Sequence, residues 1–448
     1  MPFETLKRSH LKRNIIIGIV IVTIISTLVL NFTKAKYRTA QSLPLINGTV
    51  NYTPYDFKMV AMYQENDNGE YESIDTVPTH GYLLNSEESY CEVDGEKDKS
   101  IIMSYQDGNV DISINKKGTK CYIYFKKLKG SNIQSILGNY NKMTRYDFNN
   151  VYTESTTKTL FMAEDNDGIT YYFAGNPTDN WVSFAGFYWR IIRINGRGSI
   201  RLIYSGEATS DMVQDHNIVG NDTQIKTDNN VFVFNNLRWE NAGVGYMYAS
   251  GSVMGLETSS NVKTQLENWY QDNLRDYTSY LDINAGFCGD RTPSTEENYS
   301  NGLGGTGSTE TYYGAYIRLI TNKNPTYLCN NISDLYTAKG ADEGNGRLEY
   351  PVGLITADEV VYAGGVYRYY NTNYFLYNNQ DYWTISPHSF SGPSYSKEAY
   401  MFGVFSNGIF DWGAVYLTLG IRPVINLRSD VTLTGSGTAT DPYVVVTS

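Results

Sequence analysis

The chain has 448 residues and a formal net charge of −11. That acidic balance argues against nucleic acid as a partner and against flat docking onto anionic lipid, and the length predicts two or more domains. Tyrosine is the outlier at 40 residues, with abundant Gly, Asn, Ser and Thr; this palette is shared by binding surfaces built on Tyr anchors and by sheets that favour aromatic strand formers.

Residues 1–13 are a basic flank carrying Lys7, Arg8, Lys12 and Arg13. From Asn14 to Thr33 no residue is charged. At about 1.5 Å per residue this stretch matches a bilayer core of about 30 Å, and the short cationic flank sets the N-terminus inside and the bulk outside. The expectation is a single-pass cell-membrane protein, in contact with lipid through residues 14–33 and extracellular beyond them. A retained anchor is favoured over a cleaved signal peptide, because Lys34-Ala35-Lys36-Tyr37 follows instead of a small-residue site. Residues 34–50 then read as a stalk.

Residues 51–128 read as a small β domain. In Lys120–Phe125 the period-two alternation places Cys121, Ile123 and Phe125 on one face. The four cysteines, Cys91, Cys121, Cys288 and Cys329, form an even set in an exported chain and predict two disulfides. Three pairings are open, and the two sequence-local ones are favoured. Residues 129–157 read as a polar linker.

Residues 158–448 read as one larger domain. Strands are predicted around Tyr171–Phe173 and over Phe187–Ile194 and Ser199–Tyr204, joined at Asn195-Gly196, where positive φ would make a tight hairpin. Val262, Leu266, Trp269, Tyr270, Leu274, Tyr277 and Leu281 fall at helical spacing behind the N-cap candidate Ser260. Thr356-Ala357-Asp358-Glu359 is a capping box that opens a second, short helix ending at Gly364-Gly365. Short strands follow, at 382–386, 401–405, 415–417 and 421–427, and then a last hairpin ending at 443–446. A hairpin, two helices and then strands predict an α+β fold with one mixed core.

Catalytic and metal chemistry find little foothold. Gly302-Leu303-Gly304-Gly305-Thr306-Gly307 fits a dinucleotide fingerprint by letter but lacks the strand before and the helix after. Asp165-Asn166-Asp167-Gly168 lacks the later Glu of a calcium loop and reads as a turn. His80, His216 and His388 are isolated in sequence, and Asp358-Glu359 are read as partners of a helix N-terminus. No cofactor, metal or catalytic residue is expected.

Residues 361–420 concentrate ten Tyr, five Phe and two Trp. Rings beside amides offer a stacking face with directional hydrogen bonds, which suits a sugar or peptide. The candidate ligand-binding residues are Tyr367, Tyr369, Tyr370, Asn373, Tyr374, Tyr377, Asn378, Tyr395 and Trp412. Within the same window, Tyr382-Trp383-Thr384-Ile385-Ser386-Pro387, Val404–Gly408 and Gly420-Ile421-Arg422-Pro423-Val424-Ile425-Asn426-Leu427 resemble the C-terminal signature of C-type-lectin-like domains in bacterial surface proteins. That fold is shared with formylglycine-generating-enzyme-like proteins and with retroelement-diversified binding proteins. The wider chain resembles membrane-anchored surface proteins of low-GC bacteria.

The resemblance implies a C-type-lectin-like scaffold whose loops bind, with Trp383, Ser386, Pro387, Gly420, Arg422 and Pro423 as its fold signature. It carries over neither the paired active-site cysteines of the formylglycine enzymes nor the calcium motifs of sugar-binding lectins. The sequence reading is adhesion or ligand capture, with an extracellular glycan or protein as partner. Two alternatives stay open: a structural subunit that packs against copies of itself, and an extracytoplasmic enzyme of the formylglycine-generating type.

Overall fold

The computed structural model describes residues 44–45, 48–52, 59–66, 68–78, 82–98, 100–106, 109–114, 116–127, 132–208, 232–294, 310–392 and 396–446. The basic flank, the 14–33 span, most of the stalk, His80, His216, the 302–307 loop and Tyr395 lie outside the described residues. The single-pass membrane expectation is corrected: among the described residues no helix is long and apolar enough to cross a membrane. The segment that carried that expectation lies outside them.

The chain divides into two units, residues 1–129 with 446–448, and residues 130–445. In the smaller unit the central strand is Lys120–Lys127, which pairs in parallel with Met59–Glu65 on one edge and antiparallel with Tyr90–Val93 and Tyr82–Leu84 on the other. Its alternation buries Cys121, Ile123 and Phe125 against Val110 and Ile112, each large apolar side chain contributing about 1.5–3 kcal/mol on burial. Cys121 sits opposite Cys91 in the ladder, and the two are bonded. The other face stacks Tyr122 on Tyr90 and Tyr124 on Tyr63.

The expected linker is folded into the larger unit. There α1 (Ile133–Gly138), capped by the Asn132 side chain, buries Ile133 and Leu137, and Tyr140 and Phe148 follow them into the core. A nine-stranded sheet is built on β1 (Thr159–Asp165), β2 (Gly168–Tyr172), β3 (Trp181–Phe184), β4 (Phe187–Ile194) and β5 (Ile200–Glu207). The β4–β5 hairpin forms as expected, but its turn works differently. Gly198 supplies the positive φ, at 91°, while Gly196 is needed for close approach: a Cβ there would stand 2.5 Å from Asp165 Oδ1 and 2.7 Å from the Asp167–Gly168 backbone.

Helix α2 (Asn261–Asn273) starts at Ser260, whose hydroxyl accepts the Lys263 N–H, and buries Val262, Leu266 and Tyr270. Helix α3 (Ala357–Ala363) has both halves of its capping box, ends at Gly364, and is buried throughout. A separate four-stranded antiparallel sheet follows the order Thr311–Tyr312, β6 (Tyr382–Phe390), β7 (Ala399–Val404), β8 (Phe410–Ala414). Residues 415–417, expected as a strand, turn instead. Finally β9 (Val424–Leu427) pairs with β5, and Tyr443–Val445 pairs in parallel with β3.

The α+β expectation is overturned. Among the described residues the protein is mostly β, 39 % strand against 14 % helix, spread over many sheets. Asn141–Thr144, inside the expected linker, pairs with β1, and Leu433–Thr434 is the opening strand of the expected last hairpin, paired with Tyr443–Val445. They carry too few residues for alternation to show.

Candidate functional site

The four-stranded sheet gathers rings on one face. Tyr400 and Phe402 lie two apart on β7, as do Phe410 and Trp412 on β8, so each pair shares a side. The register sets Phe402 opposite Trp412 and Val404 opposite Phe410. Phe402 stacks on Phe410 with centroids 5.1 Å apart, and Tyr400 meets Trp412 edge-on at 4.6 Å. From β6, His388 sits at the centre: its ring lies 4.9 Å from Phe402, 4.9 Å from Tyr316, 5.8 Å from Tyr367 and 6.2 Å from Trp412. Edge-to-face pairs of this kind add about 0.5–1.5 kcal/mol beyond area burial.

His388 is buried, and that burial, aided by the Arg368 charge, pushes its pKa down to about 3. It is therefore a neutral imidazole at ordinary pH. Its Nδ1 shares a hydrogen bond with Ser389 Oγ at 2.8 Å and its Nε2 one with Tyr367 Oη at 3.3 Å. Burial, then the Asp411 charge, raises the Tyr367 phenol above its usual value. On the outer side Arg368 Nε reaches Asp411 Oδ2 at 3.2 Å, an exposed pair worth under about 1 kcal/mol. Arg368 also takes a left-handed backbone, φ 62°, held by its N–H donating to Phe410 O. That twist sends Tyr369 and Tyr370 outward, 57 % and 69 % exposed.

The structure therefore splits the expected ligand-binding set. Tyr367 and Trp412 come together across His388, Trp412 remaining 37 % exposed, and Tyr369 and Tyr370 stand beside them, tied by a backbone bridge from Tyr370 to Ile409. Tyr374 and Asn378 are core residues. Asn373 spends its amide on Thr153 O, and Tyr377 donates to Asn379 and to Ser406 O. The sequence reading missed His388, Tyr400, Phe402 and Tyr316; the alternation in Tyr400–Phe402 and Phe410–Trp412 was the signal available for the two strands.

The signature residues are interior. Trp383 is fully buried, donates to Phe232 O and lies over Gly413. Ser386 Oγ accepts the Ala357 N–H, and Pro387 pairs with Met401 in the bulged β6–β7 ladder. Gly420 joins Asp381 and Trp383 through its backbone, Arg422 donates to Tyr204 O and Leu376 O, and Pro423 O accepts from Tyr204.

The second disulfide joins Cys288 to Cys329. Asp165–Gly168 is the β1–β2 turn, with Asp165 taken up by Arg193 and by the Gly196 N–H. Among the described residues no group of three or more His, Cys, Asp or Glu could hold a metal ion. Glu359 caps α3 and also pairs with Arg193 and Arg201, while Asp358 pairs with Arg318.

No family model matches the chain, and no curated protein or solved structure matches it either. The C-type-lectin-like resemblance therefore rests on the three C-terminal blocks alone.

Proposed function

We propose that this protein is an extracellular binding protein that captures a carbohydrate on the ring face around His388. The observation that carries the reading is the grouping of Trp412, Tyr367 and Tyr400 at the rim of a buried ring centre, with Tyr369 and Tyr370 projecting next to it. Rings with polar tips give a sugar a flat surface for its C–H groups, and the phenols, the indole N–H and the Arg368–Asp411 pair answer its hydroxyls. The two disulfides suit an oxidising exterior.

A glycan array on the intact protein, followed by calorimetry on any hit, tests the reading. Tyr369→Ala, Tyr370→Ala and Trp412→Ala are expected to weaken binding at least tenfold with unchanged melting. Binding that survives all three substitutions overturns the assignment. A peptide hit in place of a glycan moves the ligand class, and ligand-free assembly in light scattering favours a structural subunit.

A further inference from the structure

A second, unrelated feature lies beside the Cys288–Cys329 disulfide. Two cavities meet there, of about 80 Å³ and about 270 Å³, and share Cys288, Asp290 and Arg318 as a common wall. The larger is walled by Asp290, Thr292, Ser294, Asn322, Asn330 and Asn331, among others. A water takes about 30 Å³, so this chamber has room for a body of monosaccharide size.

The charges at the shared wall do not balance. Arg318 Nη2 donates to Asp290 Oδ2 at 2.6 Å and to Asp358 Oδ2 at 2.7 Å, so one cation serves two carboxylates. Asp358 is the better satisfied, receiving Arg318 Nε and the Thr326 N–H as well. The other acid of the chamber, Asp334, is matched by Arg291 at 2.7 Å. Across the smaller cavity Arg193 and Arg201 are matched by Asp165 and Glu359, while Asp167 and Glu343 share Arg197 and Asp282 adds a further acid.

At the shared wall two carboxylates thus divide one guanidinium, and Asp290, bonded by Arg318 Nη2 and Nη1, has fewer donors than Asp358. Burial, opposed by the Arg318 charge, pushes this carboxyl up to about 6. Asp290 also holds a left-handed backbone, φ 51°. Gly314 lets Arg318 come close, since a Cβ there would meet Arg318 Nη1 at 2.9 Å.

We propose that the larger chamber binds a primary ammonium group, seated on Asp290 and carried by a small hydroxylated body whose other groups meet Thr292, Ser294 and the three asparagines. The ammonium supplies the missing positive charge, and the amide and hydroxyl walls replace its water. This site is independent of the ring face around His388.

Titrating the intact protein with glucosamine, N-acetylglucosamine, glucose and cadaverine by calorimetry or NMR tests it. Glucosamine is expected to bind, and its acetylated and hydroxyl counterparts at least tenfold more weakly. Cadaverine binding as tightly as glucosamine would overturn the hydroxylated body. Asp290→Asn keeps a residue that tolerates positive φ and is expected to lower glucosamine affinity at least tenfold. Asn330→Trp, at the exposed rim, is expected to block entry while leaving melting unchanged. Glucosamine affinity should also fall as pH drops through about 6, with Arg318, Asp358, Asp334 and Arg291 the charged groups around Asp290. Equal affinity for glucosamine and its N-acetyl form, or undiminished binding by either variant, overturns the proposal. Trp412→Ala should leave this binding intact, which separates its failure from that of the carbohydrate face.

Discussion

Ser386 Oγ on β6 accepts the backbone N–H of Ala357 at 2.9 Å, so an inner strand of the ring-bearing sheet supplies a bond that α3 cannot make for itself. Both groups are buried. Ser386→Ala leaves that N–H without a partner, and the expected loss is about 1–3 kcal/mol. Urea unfolding measures it, and a change under a few tenths of a kcal/mol would refute the role.

His388 gives the protein a pH signature. Its folded pKa, about 3, lies below the unfolded value near 6.5. Above that unfolded value both states are neutral. As pH falls from roughly 6.5 towards 3 only the unfolded chain takes the proton, so stability declines by roughly 1.4 kcal/mol per pH unit. His388→Gln is expected to lack this slope. A His388 imidazole signal, assigned by its loss in His388→Gln, that titrates between pH 5 and 8 in the folded state would contradict it.

Glu359 behaves in the opposite sense to a neutral buried acid. Burial raises its pKa, but Arg201 and Arg193 more than offset that, and the net displacement is downward. Its contribution is therefore complete above the unfolded value of about 4.3 and is lost as pH falls through the lower folded value. Glu359→Gln leaves buried Arg201 without its carboxylate and Arg193 with Asp165 alone, while its amide oxygen can still accept the Thr356 N–H of the capping box; the expected loss at neutral pH is about 3–5 kcal/mol. A thermal shift across pH 3–7, run on both proteins, reads out the size and the window together.

Two glycines should respond in opposite directions. Gly196→Ala drives a methyl into Asp165 and the β1–β2 turn, and about 1–3 kcal/mol is expected to be lost. Gly138 has nothing within 4 Å and closes α1, so Gly138→Ala is expected to gain about 0.5–1 kcal/mol. Equal effects in chemical unfolding would show that the close approach at Gly196 does not matter.

Local signals were legible where a few neighbouring residues set the outcome. The Thr356–Glu359 box, the Ser260 cap and the Cys121, Ile123, Phe125 face need only short stretches of chain, and each is seen in the structure. The ring face was harder to read. It is assembled from Tyr316, Tyr367, His388, Tyr400 and Trp412 by the register of three strands and a bridge, which no window of sequence contains. Tyr369 and Tyr374 sit five positions apart in one Tyr/Asn run, yet one faces solvent and the other the core. The left-handed Arg368 and the inward Phe375-Leu376 decide that, and composition is blind to both. The Asp290–Arg318 wall escaped for the same reason, since the two residues lie on separate elements that meet only in the fold.

The pairing of β5 with Val424–Leu427 and of β3 with Tyr443–Val445 has a consequence for synthesis. The early strands of the larger unit leave the ribosome with hydrogen-bonding rims that stay bare until residues 424–445 arrive to zip them shut. A chain that stops before Val424 would thus be a sticky product, open to proteases and to its own kind, and never a milder version of the whole fold.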